Sequence, residues 1–241
     1  MKVLFAGPSL HGSTKTVDPS ITLLPPAAQG DIAAAVHRGV NVIGLIDGVY
    51  ESIAAIWHKE ILFALSEGVQ VIGGASLGAL RAAECTAFGM IGVGEIFRDY
   101  QTGNLIDDAD VALLHAPKEL GYRPLTEAMV DVRATISWHV QQNNLSREDG
   151  CHLLQTAENQ FFKDRTWRTI ITGAGFPKDR GAELHTLICR KPMRQKQMDA
   201  ELVLEHVTMV AARRASPPTD WTLRQTSLFR PWRGAQESLQ G

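Results

Sequence analysis

A serine stands between small residues at the point where an apolar segment gives way to a helix-forming one. Residues 71–84 read VIGGASLGALRAAE, which places Ser76 within Gly74-Ala75-Ser76-Leu77-Gly78. Glycines here permit the sharp strand-to-helix turn of a nucleophile elbow, which lifts a serine hydroxyl out of a sheet. The N–H groups at the start of the following helix are suited to stabilise an oxyanion. Ser76 is therefore a candidate nucleophile; the alternative is a tight turn in which it only caps the helix.

Three consecutive residues upstream of the serine offer it different chemical partners. His58 would be the base of a Ser-His pair, Lys59 the base of a Ser-Lys pair if it were desolvated, and Glu60 could only orient or pair. Each is otherwise an ordinary surface side chain. Arg81 and Glu84 are spaced three apart on the helix after the serine, which also suits a surface ion pair.

The first half of the chain alternates strand-like and helix-like segments. Short apolar runs predict strands at residues 2–6, 21–24, 40–46 and 69–73, and helical spacing covers 31–38, 52–66 and 77–88. Continuous apolar strands between helices are typical of a sheet that is buried on both faces. The pattern therefore predicts an α/β fold with a mostly parallel sheet and flanking helices.

The second half is predicted to be largely helical. Helical spacing covers residues 123–144, 146–163 and 194–214. In the last of these, a candidate buried stripe consists of Met198, Leu202, Val203, Val207 and Val210. Residues 215–241 lack periodicity and are rich in proline and turn formers. We therefore expect an α/β core at 1–120 carrying the site, a helical segment at 121–214 packed on it, and a partly disordered tail at 215–241 with Trp221, Phe229 and Trp232 as its contact points.

The composition is that of a soluble globular protein. Of 241 residues, 44% are hydrophobic and 21% are charged. No apolar run reaches the ~18 residues that a membrane-spanning helix needs, and the apolar part of the N-terminus is too short for a signal peptide. Three scattered cysteines give neither a disulfide framework nor a paired metal motif. We expect a cytoplasmic protein without a membrane partner.

Charge is divided unevenly along the chain. Residues 1–150 hold 10 Lys and Arg against 17 Asp and Glu, whereas residues 151–241 hold 14 against 9. The basic stretch at 190–196 is a candidate docking surface for an acidic partner, with a solvated helix face or pairing within the chain as the alternative. No recognised nucleic-acid motif accompanies it, so we expect no nucleic-acid partner.

Three turns fall at the carboxyl ends of the predicted strands. They are Gly7-Pro8-Ser9 after the first, Asp47-Gly48 after the third and residues 74–78 after the fourth. Ligands of an open parallel sheet bind outside the carboxyl ends of its strands, so these turns are predicted to converge on one pocket. A crossover helix at 52–66 would begin at the same edge, which places residues 58–60 near Ser76.

An ordered series of motifs over roughly residues 1–135 resembles the TfuA-like family. The motifs are FAGPSL at 5–10, IDG at 46–48, WHKEI at 57–61, GASLGALRAAE at 74–84, FGM at 88–90, GVG at 92–94, Tyr100, Gly103, DD at 107–108 and VALLH at 111–115. Leu77 stands where methionine is also expected in relatives, and this volume-conserving change should not disturb the elbow. The resemblance does not extend far into the helical half.

The resemblance implies a role beside YcaO proteins, which activate peptide-backbone amides so that sulfur can replace oxygen. TfuA-like proteins are understood to hydrolyse the C-terminal thiocarboxylate of a ThiS-like sulfur-carrier protein and to help the YcaO partner engage its precursor peptide. The implied partners are therefore a YcaO protein, the sulfur carrier and the precursor peptide. A serine–lysine pair is the family's proposed device, which by motif matching makes Ser76 the nucleophile and Lys59 the base.

The implied chemistry requires no metal or organic cofactor. Ser76 would attack the thiocarboxylate carbonyl and expel sulfide, and water would then clear the acyl-serine with lysine as the base. A lysine does this only if burial lowers its pKa, which a neighbouring arginine such as Arg81 would assist. Oxyanion or substrate contacts are expected at Gly7, Ser9, Gly74, Leu77 and Gly78, and supporting roles at Asp47, His58, Arg81 and Glu84.

Two other functions remain open at this point. One is a non-catalytic adaptor that docks the carrier and the peptide on a YcaO enzyme, with the glycine turns serving only backbone geometry. The other is a nucleotide or anion binder that uses the loop at 7–9 and the helix N-termini. The absence of G-x-G-x-x-G and P-loop motifs disfavours the second.

Overall fold

A five-stranded parallel sheet forms the centre of the computed structural model, which describes residues 1–49 and 54–224. The strands are β1 (Lys2–Phe5), β2 (Ile21–Leu24), β3 (Val42–Leu45), β4 (Gln70–Gly74) and β5 (Ile91–Val93). Their order in the sheet is β2-β1-β3-β4-β5, and every neighbouring pair is parallel. The α/β fold with a parallel sheet in the first half, predicted from the apolar runs, is confirmed.

Three crossover helices cover one face of this sheet. They are α1 (Asp31–His37), α2 (His58–Ser66) and α3 (Leu77–Cys85), each joining one strand to the next along the chain from β2 to β5. Right-handed crossovers that step in one direction across a sheet place their helices on the same face. Accordingly Val3, Ile43 and Val71 of the strands share a buried apolar cluster with Ile61 and Ala79 of the helices.

The opposite face is covered by α9 (Gln195–Met209), which comes from far along the chain. Val203, Leu204 and Val207 pack there on Leu4 and Ile72. The β1–β2 connection leaves this face open, because in place of a helix of its own it has a single 3-10 turn at Pro8–Leu10.

The buried side of α9 differs in part from the predicted stripe. Met198 and Leu202 are each 39% exposed, so their assignment to the stripe is wrong, whereas Val203 and Val207 are buried as expected. Lys196 and Asp199 take buried positions on α9 instead. Two charged side chains lie inside because this end of the helix crosses the carboxyl edge of the sheet, where polar partners are available.

Four helices form a second cluster with an apolar core of its own. They are α5 (Met129–Gln141), α6 (Arg147–Glu158), α7 (Trp167–Gly173) and α8 (Lys178–Arg190). Their shared core includes Ile136, Leu153, Ile170 and Leu184. The predicted helical second half is confirmed, although α7 and α8 escaped sequence prediction. The proposed domain boundaries stay a prediction.

Several element limits differ from the predicted ones. The helix expected at 52–66 begins at His58; residues 54–57 are not helical, and 52–53 lie outside the described residues. The helix expected from 123 begins at Met129. Strand β5 and helix α4 (Glu95–Thr102) were not predicted. β5 has three residues, one of them glycine, and so gives almost no apolar periodicity.

The chain after α9 runs along the amino edge of the sheet. Lys2, Asn41 and Gln70, which begin or precede three neighbouring strands, donate side-chain hydrogen bonds of 2.7–2.9 Å to backbone carbonyls within 207–213. Of the predicted tail, residues 215–224 are described, and Trp221 packs edge-on against Phe88. Phe229 and Trp232 lie outside the described residues. Among the described helices, none is both long and apolar enough to cross a membrane.

Candidate active site

The turns after β1, β3 and β4 meet at a cavity of about 590 Å³ at the carboxyl edge of the sheet. Pro8, Asp47, Gly48, Ser76 and Leu77 line its sheet side. The facing wall comes mainly from the α4–α5 connection and consists of Asp108, residues 111–115 and Tyr122, with Phe162, Lys163 and Lys196 beside it. The strand order changes direction between β1 and β3, and such a switch point is where open α/β sheets bind ligands.

Ser76 occupies a two-residue connection between β4 and α3. The preceding Ala75 has φ of 67°, and the N–H of Ser76 donates to the carbonyl of Gly74 at 2.8 Å, which makes a tight turn around a left-handed residue. A non-glycine residue in this conformation is strained, and such strain clusters at functional sites. The elbow predicted from Gly74 to Gly78 therefore has the expected strand–turn–helix form.

The hydroxyl of Ser76 is not used by the fold. Ser76 holds the N-cap position of α3 but makes no capping hydrogen bond through its side chain. Its Oγ has no hydrogen-bond partner anywhere in residues 1–49 or 54–224, although the residue is only 8% exposed. Ser76 therefore takes the N-cap position that the alternative predicts, but its hydroxyl does not cap the helix.

The glycines of this turn serve close packing. A methyl group on Gly78 would overlap the carbonyl oxygen of Leu45, and one on Gly74 would stand 2.5 Å from the carbonyl oxygen of Val93. The N–H of Gly78 already donates to the carbonyl of Ile46 at 3.1 Å. Gly78 and Gly74 thus bring α3 and the neighbouring strands together, and the N–H of Gly78 is not free for an oxyanion.

Leu77 supplies the backbone donor that remains. Its N–H opens α3, and no acceptor within the described residues receives it. Leu77 lines the cavity together with Ser76. The residue after the nucleophile is the one whose N–H forms an oxyanion hole in nucleophile-elbow hydrolases. Leu77 therefore has a free N–H at the sequence position that donates to the oxyanion in those hydrolases.

In the turn after β1, Asp47 accepts the hydrogen bonds of Gly7 and Ser9. The N–H groups of Gly7 and Ser9 donate to Asp47 Oδ2 at 2.9 and 3.0 Å, and Ser9 Oγ donates to Oδ1 at 2.6 Å. The N–H of Leu10 donates to the carbonyl of Gly7. The expectation that this loop supplies oxyanion donors is thus wrong for its N–H groups. Asp47, which is 2% exposed, supports the site by fixing this turn against β3.

The three candidates at the start of α2 lie in different environments. His58 is exposed, Lys59 is half-buried, and Glu60 is 2% exposed. Glu60 accepts the N–H of Gly30 at 2.9 Å and thereby caps α1, and burial raises the pKa of its carboxyl. Glu60 is thus the residue that points inward, toward α1. Among the described residues that line the cavity, neither His58 nor Lys59 occurs, and the role of Lys59 stays a prediction.

Arg81 and Glu84 brace the outside of the site. Arg81 Nε donates to the carbonyl of Ile56 at 3.0 Å, which ties α3 to the segment leading into α2. Arg81 also forms an ion pair with Glu84 at 2.6 Å, with Glu84 exposed. The surface ion pair that the i,i+3 spacing allows is therefore present. Arg81 makes the contact to Ile56 in addition.

Lys196 is a cavity residue that sequence reasoning misplaced. The sequence predicts it as part of the docking surface at 190–196, but Lys196 is 3% exposed, whereas Arg190, Lys191 and Arg194 are exposed. Lys196 Nζ donates to the carbonyl of Val111 at 2.6 Å. Burial lowers the pKa of its amine, and the charges of Asp47 and Asp131 oppose this effect. Its spacing of four, seven and eleven residues from Ala200, Val203 and Val207 was a signal that it shares their buried face.

Comparison with known protein families gives a match that covers part of the first half of the chain and part of the second. Residues 47–166 match the family model described as TfuA-like protein. The matched span includes Asp47, Ser76, Leu77 and the cavity wall at 108–122. No curated protein matches the chain. The family resemblance inferred from the motifs is confirmed over these residues.

Proposed function

Because the chain belongs to the TfuA-like family, which is associated with YcaO-type thioamidation, we propose that it is an accessory hydrolase of that modification. Its substrate in this proposal is the C-terminal thiocarboxylate of a ThiS-like carrier protein, from which it releases sulfide for the YcaO enzyme. Ser76 is the nucleophile and a lysine is the base. The family resemblance assigns the base to Lys59.

One observation carries the proposal: a serine hydroxyl and the next backbone N–H are both left unpaired at the same cavity. Ser76 is 8% exposed and lines the cavity, so its unpaired hydroxyl is available to a ligand there. The Leu77 N–H begins a helix whose dipole is positive at that end. A nucleophile beside an oxyanion donor is the minimal equipment for acyl transfer.

The proposed reaction has two steps. Ser76 Oγ bonds to the thiocarboxylate carbon, its proton passes through the base to sulfur, and the C–S bond breaks to release hydrosulfide and leave an acyl-serine. Water then bonds to the same carbon, the ester bond to Oγ breaks, and the carrier leaves with an ordinary carboxylate. The negative charge on the carbonyl oxygen in each step is stabilised by the N–H of Leu77.

The mouth of the cavity suits a protein rather than a small molecule. Leu114 lines the cavity and is 41% exposed, its backbone neighbour Leu125 is 45% exposed, and Phe161 beside the lining Phe162 is 54% exposed. Exposed apolar side chains grouped around a cavity favour contact with another protein. This rim equally favours the adaptor as a second candidate function, in which the chain only docks the carrier and the peptide on the YcaO enzyme.

The test is sulfide release from a thiocarboxylated carrier by Ser76→Ala. We expect the rate to fall by at least about 1000-fold, because the nucleophile is lost. Ser137→Ala, which changes an exposed serine of α5, is the matched control and should behave as wild type. Conversion of the carrier thiocarboxylate to carboxylate, followed by mass spectrometry, checks the same step. Full sulfide release by Ser76→Ala would leave the adaptor function.

A further inference from the structure

We propose that Lys196 is the base that takes the proton from Ser76. This inference rests on the proposed hydrolase function and assigns its base to a residue outside the family-matched span. Lys196 and Ser76 line the same cavity, and Asp47 lines it with them. Lys196 lies in the first turn of α9, which begins at the carboxyl edge of the sheet and then covers its open face.

Among the described residues, the amine of Lys196 has a hydrogen-bond acceptor but no ion-pair partner. Within the described residues its Nζ makes a hydrogen bond to the Val111 carbonyl at 2.6 Å and has no carboxylate within ion-pair distance. The backbone of the same residue is fixed by Asp131, whose Oδ1 accepts the Lys196 N–H at 2.9 Å. An amine that donates one hydrogen to Val111 keeps its lone pair for a proton from another donor.

The burial of Lys196 lowers the pKa of its amine. The side chain is 3% exposed, and desolvation disfavours the charged form of lysine, which is how lysine bases are activated. The titratable or charged groups that line a cavity together with Lys196 are Asp47, Asp108, His115 and Lys163 on one side and His11, Glu127, Asp131 and Arg194 on the other. Asp47, which accepts three hydrogen bonds from the turn after β1, carries the charge that most opposes this effect of burial. Burial also raises the pKa of Glu127 to about 7 and that of Asp131 to about 6, so these two charges are easier to lose than those of exposed carboxylates.

The other lysines near the site fit this role less well. Lys59 is half-buried, and it is not among the described residues that line the cavity. Lys163 does line it but is exposed, with its Nζ 5.6 Å from the ring centroids of Phe161 and Phe162. Lys196 combines burial with a place on the cavity wall.

In this proposal Lys196 carries the protons of both steps. The Lys196 lone pair takes the Ser76 hydroxyl proton as Oγ bonds to the thiocarboxylate carbon, and the resulting ammonium gives that proton to sulfur as the C–S bond breaks. Hydrosulfide leaves. In the second step the amine takes a proton from water as the water oxygen bonds to carbon, and the ammonium returns a proton to Oγ as the ester bond breaks.

The first experiment compares lysine variants in sulfide release from the thiocarboxylated carrier. Lys196→Met keeps the apolar stem and removes the amine, and we expect kcat to fall by about 1000-fold. Lys178→Met, at the exposed start of α8, is the matched control. Lys59→Met tests the family assignment directly. Wild-type kcat in Lys196→Met with loss in Lys59→Met would overturn this inference while leaving the hydrolase intact, whereas full activity in Ser76→Ala would remove the hydrolase itself.

The second experiment separates a base from a structural lysine. Lys196→Cys alkylated with 2-bromoethylamine restores an amine of similar length whose pKa is lower than that of lysine. If Lys196 is the base, activity returns and the acidic limb of the kcat–pH profile moves to lower pH. Wild-type protein treated in parallel controls for alkylation of Cys151 and Cys189, which are exposed. Restored activity with an unmoved acidic limb would show that Lys196 only supports the wall at Val111.

Discussion

Two turns with the sequence glycine–x–serine lie at the same cavity. Among the described residues, the serine hydroxyl of one has a hydrogen-bond partner and that of the other has none. Gly7-Pro8-Ser9 follows β1 and Gly74-Ala75-Ser76 follows β4, on either side of β3. In the first turn the serine hydroxyl and two N–H groups all donate to Asp47. In the second, the serine hydroxyl and the N–H that follows it have no partner among the described residues.

The difference teaches that the pattern alone does not mark a nucleophile. Both turns place a serine at the carboxyl edge of a parallel sheet, and the deciding feature is a carboxylate within reach. Asp47 satisfies the first turn and makes it a rigid wall. The second turn is held by backbone packing at Gly78 instead, so that its polar groups stay available. A site of this kind is recognised by which donors remain unpaired.

The largest expected effect follows from replacing the packing glycine of the second turn. In Gly78→Ala the new methyl group meets the Leu45 carbonyl, and neither backbone can move easily, so we expect a loss of at least about 4 kcal/mol in the free energy of unfolding. Gly181→Ala, inside α8 and 3.3 Å from a methyl group of Ile171, is the control and should change it by less than about 1 kcal/mol. Urea denaturation measures both. Wild-type stability in Gly78→Ala would contradict the close approach of α3 to β3.

The second largest effect is expected from removing Asp47, the carboxylate to which the first turn donates its hydrogen bonds. Asp47→Ala leaves three buried donors without an acceptor, and we expect the free energy of unfolding to fall by about 3 kcal/mol. Asp18→Ala removes a carboxylate that accepts the exposed N–H of Ser20, and should cost about 0.5 kcal/mol. A loss in Asp47→Ala no larger than in this control would show that the first turn does not depend on its carboxylate.

Replacing Ser9 should destabilise the protein more than replacing Ser76, although only Ser76 has a proposed role in the reaction. Ser9→Ala removes a buried hydrogen bond to a carboxylate and should lower the free energy of unfolding by about 1–2 kcal/mol. Ser76→Ala removes a hydroxyl without a partner and should change it by less than about 0.5 kcal/mol. Thermal unfolding of both variants measures the contrast. Equal losses would mean that Ser76 Oγ has a partner in solution.

The smallest expected effect is a change in how the free energy of unfolding depends on pH. It involves two carboxyl groups beside the first turn. Glu127 and Asp131 line a cleft against Pro8 and Ser9, and burial raises their pKa values to about 7 and about 6. In the unfolded chain both ionise near pH 4, so the folded state binds more protons between about pH 4 and 7, and its stability falls as pH rises through that window. In Glu127→Gln the fall between pH 5 and 7.5 should be smaller by about 1 kcal/mol. An unchanged slope would place the Glu127 carboxyl in water.

The sheet and the elbow could be predicted because their signals are local. Continuous apolar runs between helices indicate buried parallel strands, and the sharp turn after β4 follows from its own small residues. Strand β5 was missed because three residues with a central glycine carry no periodicity. Helix α2 begins later than the sequence predicts, because Ile56 and Trp57 fit the helical spacing although residues 54–57 are not helical.

Two properties of the site could not be predicted: which N–H groups are already hydrogen-bonded, and that Lys196 is buried. Both depend on contacts between residues that are distant in the sequence. Nothing near Gly7 or Ser9 in the sequence indicates that Asp47 will occupy their N–H groups. Lys196 lies in a basic stretch, and a lysine in such a stretch is almost always solvated. Only the packing of α9 on the open sheet face brings this lysine inside.

Helix α9 also has a consequence for the order of events during synthesis. The face of the sheet that carries Leu4, Ile46 and Ile72 is covered by residues 200–207, so it stays open to water until those residues have left the ribosome. An exposed apolar sheet face in a nascent chain is prone to aggregation and is a natural binding site for chaperones. Since Lys196 arrives on the same helix, a chain that stops short of α9 has both an unprotected sheet and an incomplete cavity. Completion of the fold and completion of the site are therefore one event.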